Sequence, residues 1–329
     1  MSARAQPGHE HAKTAAILVG GEALYDLVID EVGAVTGDPG GGPFNTARTI
    51  GRLRRPVAFL GRLSTDRLGA THERMLAADG VRLNAIVRSP DPTTLALASL
   101  DDAGSASWSF YVDGTAAAGL TVDDALTAVP DHVAALHVGT LGLVLEPLAT
   151  ALEAVVERLA GRTMVVVDPN VRAQVIDDEP AFRARLERVI ARSDLVKVSA
   201  EDLAWLDRDR SPAAAARALL ERGPTAVLLT RGADGATVVT AGADTPIAPV
   251  RAQVVDTIGA GDAFGGAFVA WWASHELGRS DLARDELVIA AARFGAVVAA
   301  RTVARAGASP PQLPADAAGR PLDVVRLPQ

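Results

Sequence analysis

At 329 residues the chain has room for one large α/β domain or two small ones, and either buries a sizeable core. Its formal net charge of -8 speaks against nucleic acid or an anionic membrane as the main partner. Cysteine is absent, which excludes disulfides, thiolate metal sites and cysteine nucleophiles.

Residues 1–13 read as a flexible lead, in which the neighbouring His9 and His11 belong to a disordered tail before a metal site. The run Ala15 to Val19 is a buried first strand, too short for a signal sequence and closed by Gly20, Gly21 and Glu22. Asp26 then stands alone among apolar neighbours, either at a strand end facing water or aimed into a site. Gly40-Gly41-Gly42-Pro43 leads into a helix from about Phe44 to Leu53 that carries Asn45 near its start. The glycines either bring backbone close to a ligand or simply form a loop.

From Pro92 the pattern becomes a hairpin, Thr93 to Leu100 and Ser105 to Val112, joined at Asp101-Asp102-Ala103-Gly104. Trp108, Phe110 and Val112 share one face, with Ser107, Ser109 and Tyr111 on the other. This is expected to be a small appended sheet, a lid. Beyond it, strands at Ala134 to Val138, Met164 to Val167, Leu195 to Val198 and Ala226 to Thr230 alternate with amphipathic helices. That rhythm specifies a mostly parallel sheet covered on both faces. Ligands in such sheets sit at the carboxyl ends of strands, where Asp168, Lys197, Ser199, Arg231 and Gly232 fall.

The stretch Asp256-Thr257-Ile258-Gly259-Ala260-Gly261-Asp262 is expected to turn at its glycines and enter a helix near Asp262. Such a turn offers unpaired N–H groups at the positive end of a helix dipole, an anion site. Asp262 beside it is either a cap or a base for an attacking hydroxyl. A dinucleotide fingerprint is excluded by Phe264 at its third small position, and a Walker loop by the missing Lys-Ser/Thr. The uncharged run Ala263 to Ser274 is shorter than the ~20 residues that cross a bilayer. A cytoplasmic protein, with no membrane or nucleic-acid partner, is expected.

These segments, together with Asp168-Pro169-Asn170-Val171-Arg172 and Thr230-Arg231-Gly232-Ala233-Asp234-Gly235, resemble the PfkB, or ribokinase-like, family of sugar kinases from Gly21 to about Pro314. The resemblance implies a three-layer α/β/α domain over 14–315, with a β lid from about 24–40 and 92–115, and a C-terminal tail over 316–329. It implies Asp262 as general base, and Gly259, Ala260 and Gly261 as donors to the transferring phosphoryl group. Asp26, Gly41, Asn45, Tyr111 and Arg172 are implied substrate contacts. Lys197, Ser199, Thr230, Arg231, Gly232 and Gly235 are implied at ATP. Magnesium is expected near Asp202, with Glu201 as substitute, and potassium beside Asp256 and the Ile258 carbonyl. The pattern departs from the family at Ser199-Ala200-Glu201-Asp202, where Asn-x-x-Glu is usual. Val112 after Tyr111 stands where kinases of 2-keto-3-deoxygluconate commonly carry Arg, so a neutral sugar is expected, fructose foremost. Alternatives are that acid sugar, a nucleoside, or a silent binding protein on the same fold. A homodimer through the lid is also implied.

Overall fold

The computed structural model describes residues 15–30, 32–100 and 106–312. The expected tails, His9 and His11, and the hairpin turn at 101–104 lie outside them.

β1 (Ala16–Gly20) is an unbroken apolar run buried along its whole length, as an inner strand covered on both faces requires. β2 (Leu24–Ile29) and β3 (Val35–Gly40) form an antiparallel pair. α1 (Gly42–Arg52) follows with Pro43 in its first turn, where a missing N–H costs nothing. Next come β4 (Val57–Ser64), α2 (Arg67–Ala78) and β5 (Ile86–Ser89). Asp66 caps α2 by accepting from the Gly69 N–H at 2.8 Å. β6 (Leu95–Leu100) and β7 (Ala106–Tyr111) make the expected hairpin.

The strand–helix alternation then runs through α3 (Val122–Ala128), β8 (Val133–Gly139), α4 (Leu148–Leu159) and β9 (Met164–Asp168). It continues through α5 (Glu179–Ile190), β10 (Leu195–Ser199), α6 (Ala200–Leu206), α7 (Pro212–Leu220) and β11 (Ala226–Thr230). β12 (Ala236–Thr240) and β13 (Asp244–Ile247) precede the closing helices α8 (Ala260–Ser274) and α9 (Asp285–Val303).

The large sheet has the order β13-β12-β11-β10-β9-β8-β1-β4-β5, parallel except for the antiparallel edge made by β12 and β13. The small sheet has the order β3-β2-β6-β7. Alternate strand residues feed two cores: Ile17, Val19 and Val166 pack with α1, α8 and α9, while Leu18, Val165 and Val167 pack with α4, α5 and α7. No helix among the described residues is long and apolar enough to cross a membrane.

α8 is apolar on nearly every side, as a helix enclosed by others must be. Its Gly266 matters for the site. A Cβ there would lie 3.0 Å from the Thr46 carbonyl oxygen and 3.0 Å from Thr49 Cβ, so glycine lets α1 and α8 approach closely. The segment before α8 joins no sheet; the Val255 and Asp256 N–H groups instead donate to the Val303 carbonyl at 2.8 and 3.1 Å.

Candidate active site

α8 starts two residues earlier than expected, at Ala260, with Gly259 as N-cap at φ +75. A Cβ on Gly259 would stand 2.6 Å from Ala308 Cβ, so both conformation and space demand glycine. The first-turn N–H groups lack helical acceptors and face outward from the positive end of the dipole.

Two cavities of about 510 Å³ each meet at this turn. The first is lined by Glu22, Asp26, Gly41, Asn45, Arg172 and Asp262, among others, with Trp108 and Phe110 of β7 closing one side. The second runs between Thr230, Gly232 and Gly235 on one side and Phe264, Ala300 and Val303 on the other. Thr257 and Gly261 line both. The N-terminus of α8 is thus the partition between a polar chamber and a more apolar one.

Close packing of α1 on α8 sets Asn45 Nδ2 to donate to Asp262 Oδ2 at 3.0 Å. The Asn45 Oδ1 is buried without a partner, an acceptor aimed into the first cavity's polar wall. Asp262 is buried, and burial raises its pKa, opposed by Lys197, the Asn45 hydrogen bond and Arg172. Lys197 Nζ lies 2.7 Å from Asp168 Oδ2 with both side chains buried. Burial draws the Lys197 ammonium down, but Asp168, Asp262 and Asp202 together hold it above its ordinary value. Burial pushes Asp168 up to about 6. Burial and then the Asp262 charge push Asp26 up to about 6.

Glu22, absent from the expected site residues, is fully buried and pushed up to about 8, chiefly by burial. Asp26, Asp168 and Glu22 each withdraw stability as pH rises from the free-carboxyl range through about 6, 6 and 8. Buried His72 and His137, lowered to about 4 and 3, oppose them only below the free imidazole value. Each proton held only by the folded state costs about 1.4 kcal/mol per pH unit across its window. The melting temperature of the ligand-free protein is therefore expected to fall between pH 5 and pH 8, and a rise over that range would contradict this electrostatic picture.

The turn after β8 and the loop after β9 complete the first cavity. Thr140 and Asn170 line it at φ +55 and +38, a backbone region costing non-glycine residues about 1–3 kcal/mol and concentrated at functional sites. Asn170 Nδ2 donates to Thr140 Oγ1 at 3.3 Å, and Arg172 Nη1 donates to Asn170 Oδ1 at 2.8 Å. Thr140 was legible only as another polar residue at a strand's carboxyl end.

Asp26, Gly41, Asn45, Arg172, Gly259, Gly261 and Asp262 come together around the first cavity, while Ala260, Thr230, Gly232 and Gly235 line the second. The remaining expected residues stand elsewhere. Tyr111 is 57% exposed and outside the cavity lining; β7 turns Trp108 and Phe110 inward instead. Lys197 lines the first cavity, not the second. Arg231 donates to Thr237 Oγ1 at 2.6 Å and does not line the second cavity. Ser199 is the N-cap of α6 and lines neither.

Asp202 forms a capping box with Ser199, and its second oxygen accepts the Val171 N–H at 2.8 Å. Such a committed carboxylate fits poorly as a magnesium ligand. Glu201 is exposed on the first turn of the same helix. No group of three or more histidine or acidic side chains placed to hold a metal ion occurs among the described residues. Asp256 accepts from the Ile258 N–H and the Gly307 N–H, each at 2.9 Å, tying the α8 entry to the segment after α9. This loop pair, with one carboxylate and converging backbone, suits a weakly held monovalent cation better than a divalent one.

Residues 14–316 match the family described as pfkB family carbohydrate kinase. A fructokinase from Rhizobium leguminosarum bv. trifolii is 36% identical over 259 residues, 77% of this chain and 78% of that protein. The fructokinase of Xylella fastidiosa with bound ATP superposes with a TM-score of 0.81 at 27% identity, covering 89% of this chain and 93% of its own. A fructokinase from Vibrio cholerae O395 in fructose, ADP and potassium ion bound form gives 0.79 at 26% identity, covering 89% and 94%. The chain belongs to the pfkB family of carbohydrate kinases, and is an ATP-dependent phosphotransferase acting on a sugar hydroxyl.

Proposed function

We propose that the protein is a fructokinase, transferring the γ-phosphoryl group of ATP to a primary hydroxyl of fructose. The observation that carries this reading is that Gly261 lines both cavities while Asp262, the next residue, lines the first. Sugar occupies the first cavity and ATP the second, so the terminal phosphate reaches the N-terminus of α8. There the N–H groups of Gly259, Ala260 and Gly261 meet the charge that develops on its oxygens. Asp262, ionised with the help of Lys197 and Asn45, accepts the proton of the attacking hydroxyl. Asp26, Gly41, Asn45 and Arg172 orient the sugar, and Thr230, Gly232 and Gly235 flank the nucleotide. Trp108 and Phe110 take the place expected for Tyr111.

Magnesium would be held mainly by the phosphates of ATP and by water, and would neutralise charge on the transferring group. Potassium would sit at the Asp256–Gly307 junction, where it would steady the turn at Gly259. The kinase domain spans 14–315 with the small sheet as its lid, and it works in the cytoplasm, where ATP is available. Exposed Val35 and Tyr111 on the small sheet support a homodimer through that sheet.

The sugar is neutral. Glu22, Asp26 and Asp262 give the first cavity an acidic lining. Of its cations, Lys197 is held by Asp168, and Arg172 turns Nη1 to Asn170 and the Val171 carbonyl. An acid sugar would set its carboxylate among three acids with Arg172 alone to answer it. With fructose and 2-keto-3-deoxygluconate compared side by side, kcat/KM is expected to favour fructose at least ten-fold; preference for the acid would overturn the assignment.

A further inference from the structure

Glu22 takes no part in the reaction just described, yet it is fully buried at the wall of the sugar cavity. It directly follows Gly21, which at φ +153 turns the chain away from β1. Its two oxygens reach two different elements. Oε1 accepts the Gly42 N–H at 3.2 Å, an orphan donor in the first turn of α1. Oε2 accepts the Gly142 N–H at 3.0 Å, within the short turn Thr140–Leu143 after β8. The two elements nearly touch: a Cβ on Gly42 would lie 2.5 Å from Thr140 Oγ1 and 3.3 Å from Asp262 Oδ1.

We propose that Glu22 is a positioning residue for the sugar, a carboxyl clasp that fixes the start of α1 against the Thr140 turn. Through α1 it sets Gly41 and Asn45, and through the Thr140 turn it sets the Thr140–Asn170–Arg172 chain. A carboxyl suits this task because it presents two acceptors on one rigid plane to two N–H donors that converge from elements far apart in sequence. The strained Thr140 explains why a clasp is needed; a turn held at φ +55 relaxes unless its surroundings fix it. The raised pKa of Glu22 agrees, since a neutral carboxyl still accepts both N–H groups while adding no charge beside Asp262 and Asp26. The proposal rests on the first cavity being the sugar site, and ATP lies beyond its reach.

The test compares the wild type with Glu22→Gln and Glu22→Asp, varying sugar and ATP separately. The sugar is whichever one the wild type turns over, so failure of the fructose assignment leaves this comparison intact. Gln has nearly the same shape but turns an NH₂ group toward one of the two N–H groups. Asp keeps the carboxyl but is one methylene too short to span both. The sugar KM is expected to rise at least ten-fold in Glu22→Gln and by less in Glu22→Asp, with the ATP KM within two-fold of wild type. A sugar KM within two-fold of wild type in the folded Gln variant, or equal losses for both substrates, would overturn the proposal.

Discussion

Replacing Asp262 by Asn is expected to lower kcat by roughly 10²- to 10⁴-fold while the sugar KM stays within a few-fold. Asn has almost the volume of Asp, and its amide oxygen still accepts from Asn45 Nδ2, so the α1–α8 contact survives. What it cannot do is accept a proton. The substitution also removes one negative charge from a cavity wall that holds Glu22 and Asp26, so the folded state should not suffer above pH 7. A variant with near-normal turnover would remove Asp262 from its chemical role and leave it as the acceptor that ties Asn45 of α1 to α8.

Replacing Lys197 by Met is expected to cost about 3–5 kcal/mol of folding stability at pH 8, because it leaves Asp168 charged and buried without its partner. Burial has already raised Asp168 to about 6, and its Oδ1 has no partner among the described residues. Near pH 5 the orphaned carboxyl takes up a proton, so the loss there should be smaller. Adding Asp168→Asn to the Met variant should recover at least half of the loss at pH 8. Chemical denaturation of wild type, the Met variant and the double variant at both pH values measures these differences. A single variant as stable as wild type at pH 8 would show that the pair contributes nothing net.

The parallel sheet was legible because buried parallel strands are continuous apolar runs, and Ala226–Thr230 and Met164–Val167 have little else they could be. The antiparallel edge of β12 and β13 was not, since Ala236–Thr240 and Asp244–Ile247 lack both a long apolar run and a strong hairpin dipeptide. At the site, Asp26, Asn45 and Asp262 stood out as polar residues placed where only chemistry or capping explains them. The position of Tyr111 outside the cavity lining was not legible, because alternation fixes which residues share a face of β7 but not which face meets the cavity. Ser199 and Asp202 show a conflict of scales. A Ser three residues before an Asp is a local capping signal, and the two form a capping box at the start of α6. Glu22 carried no local signal at all, because its meaning comes from Gly42 and Gly142, 20 and 120 residues away.

The central claim is that one turn of backbone at Gly259–Gly261 joins a sugar site to an ATP site. It is tested most directly by following ADP release from magnesium-ATP with and without fructose, in the presence of potassium. Sugar-dependent ADP release, abolished to background in Asp262→Asn, is the predicted result. Fructose that raises the melting temperature but releases no ADP would contradict it, leaving a protein that binds the sugar without phosphorylating it.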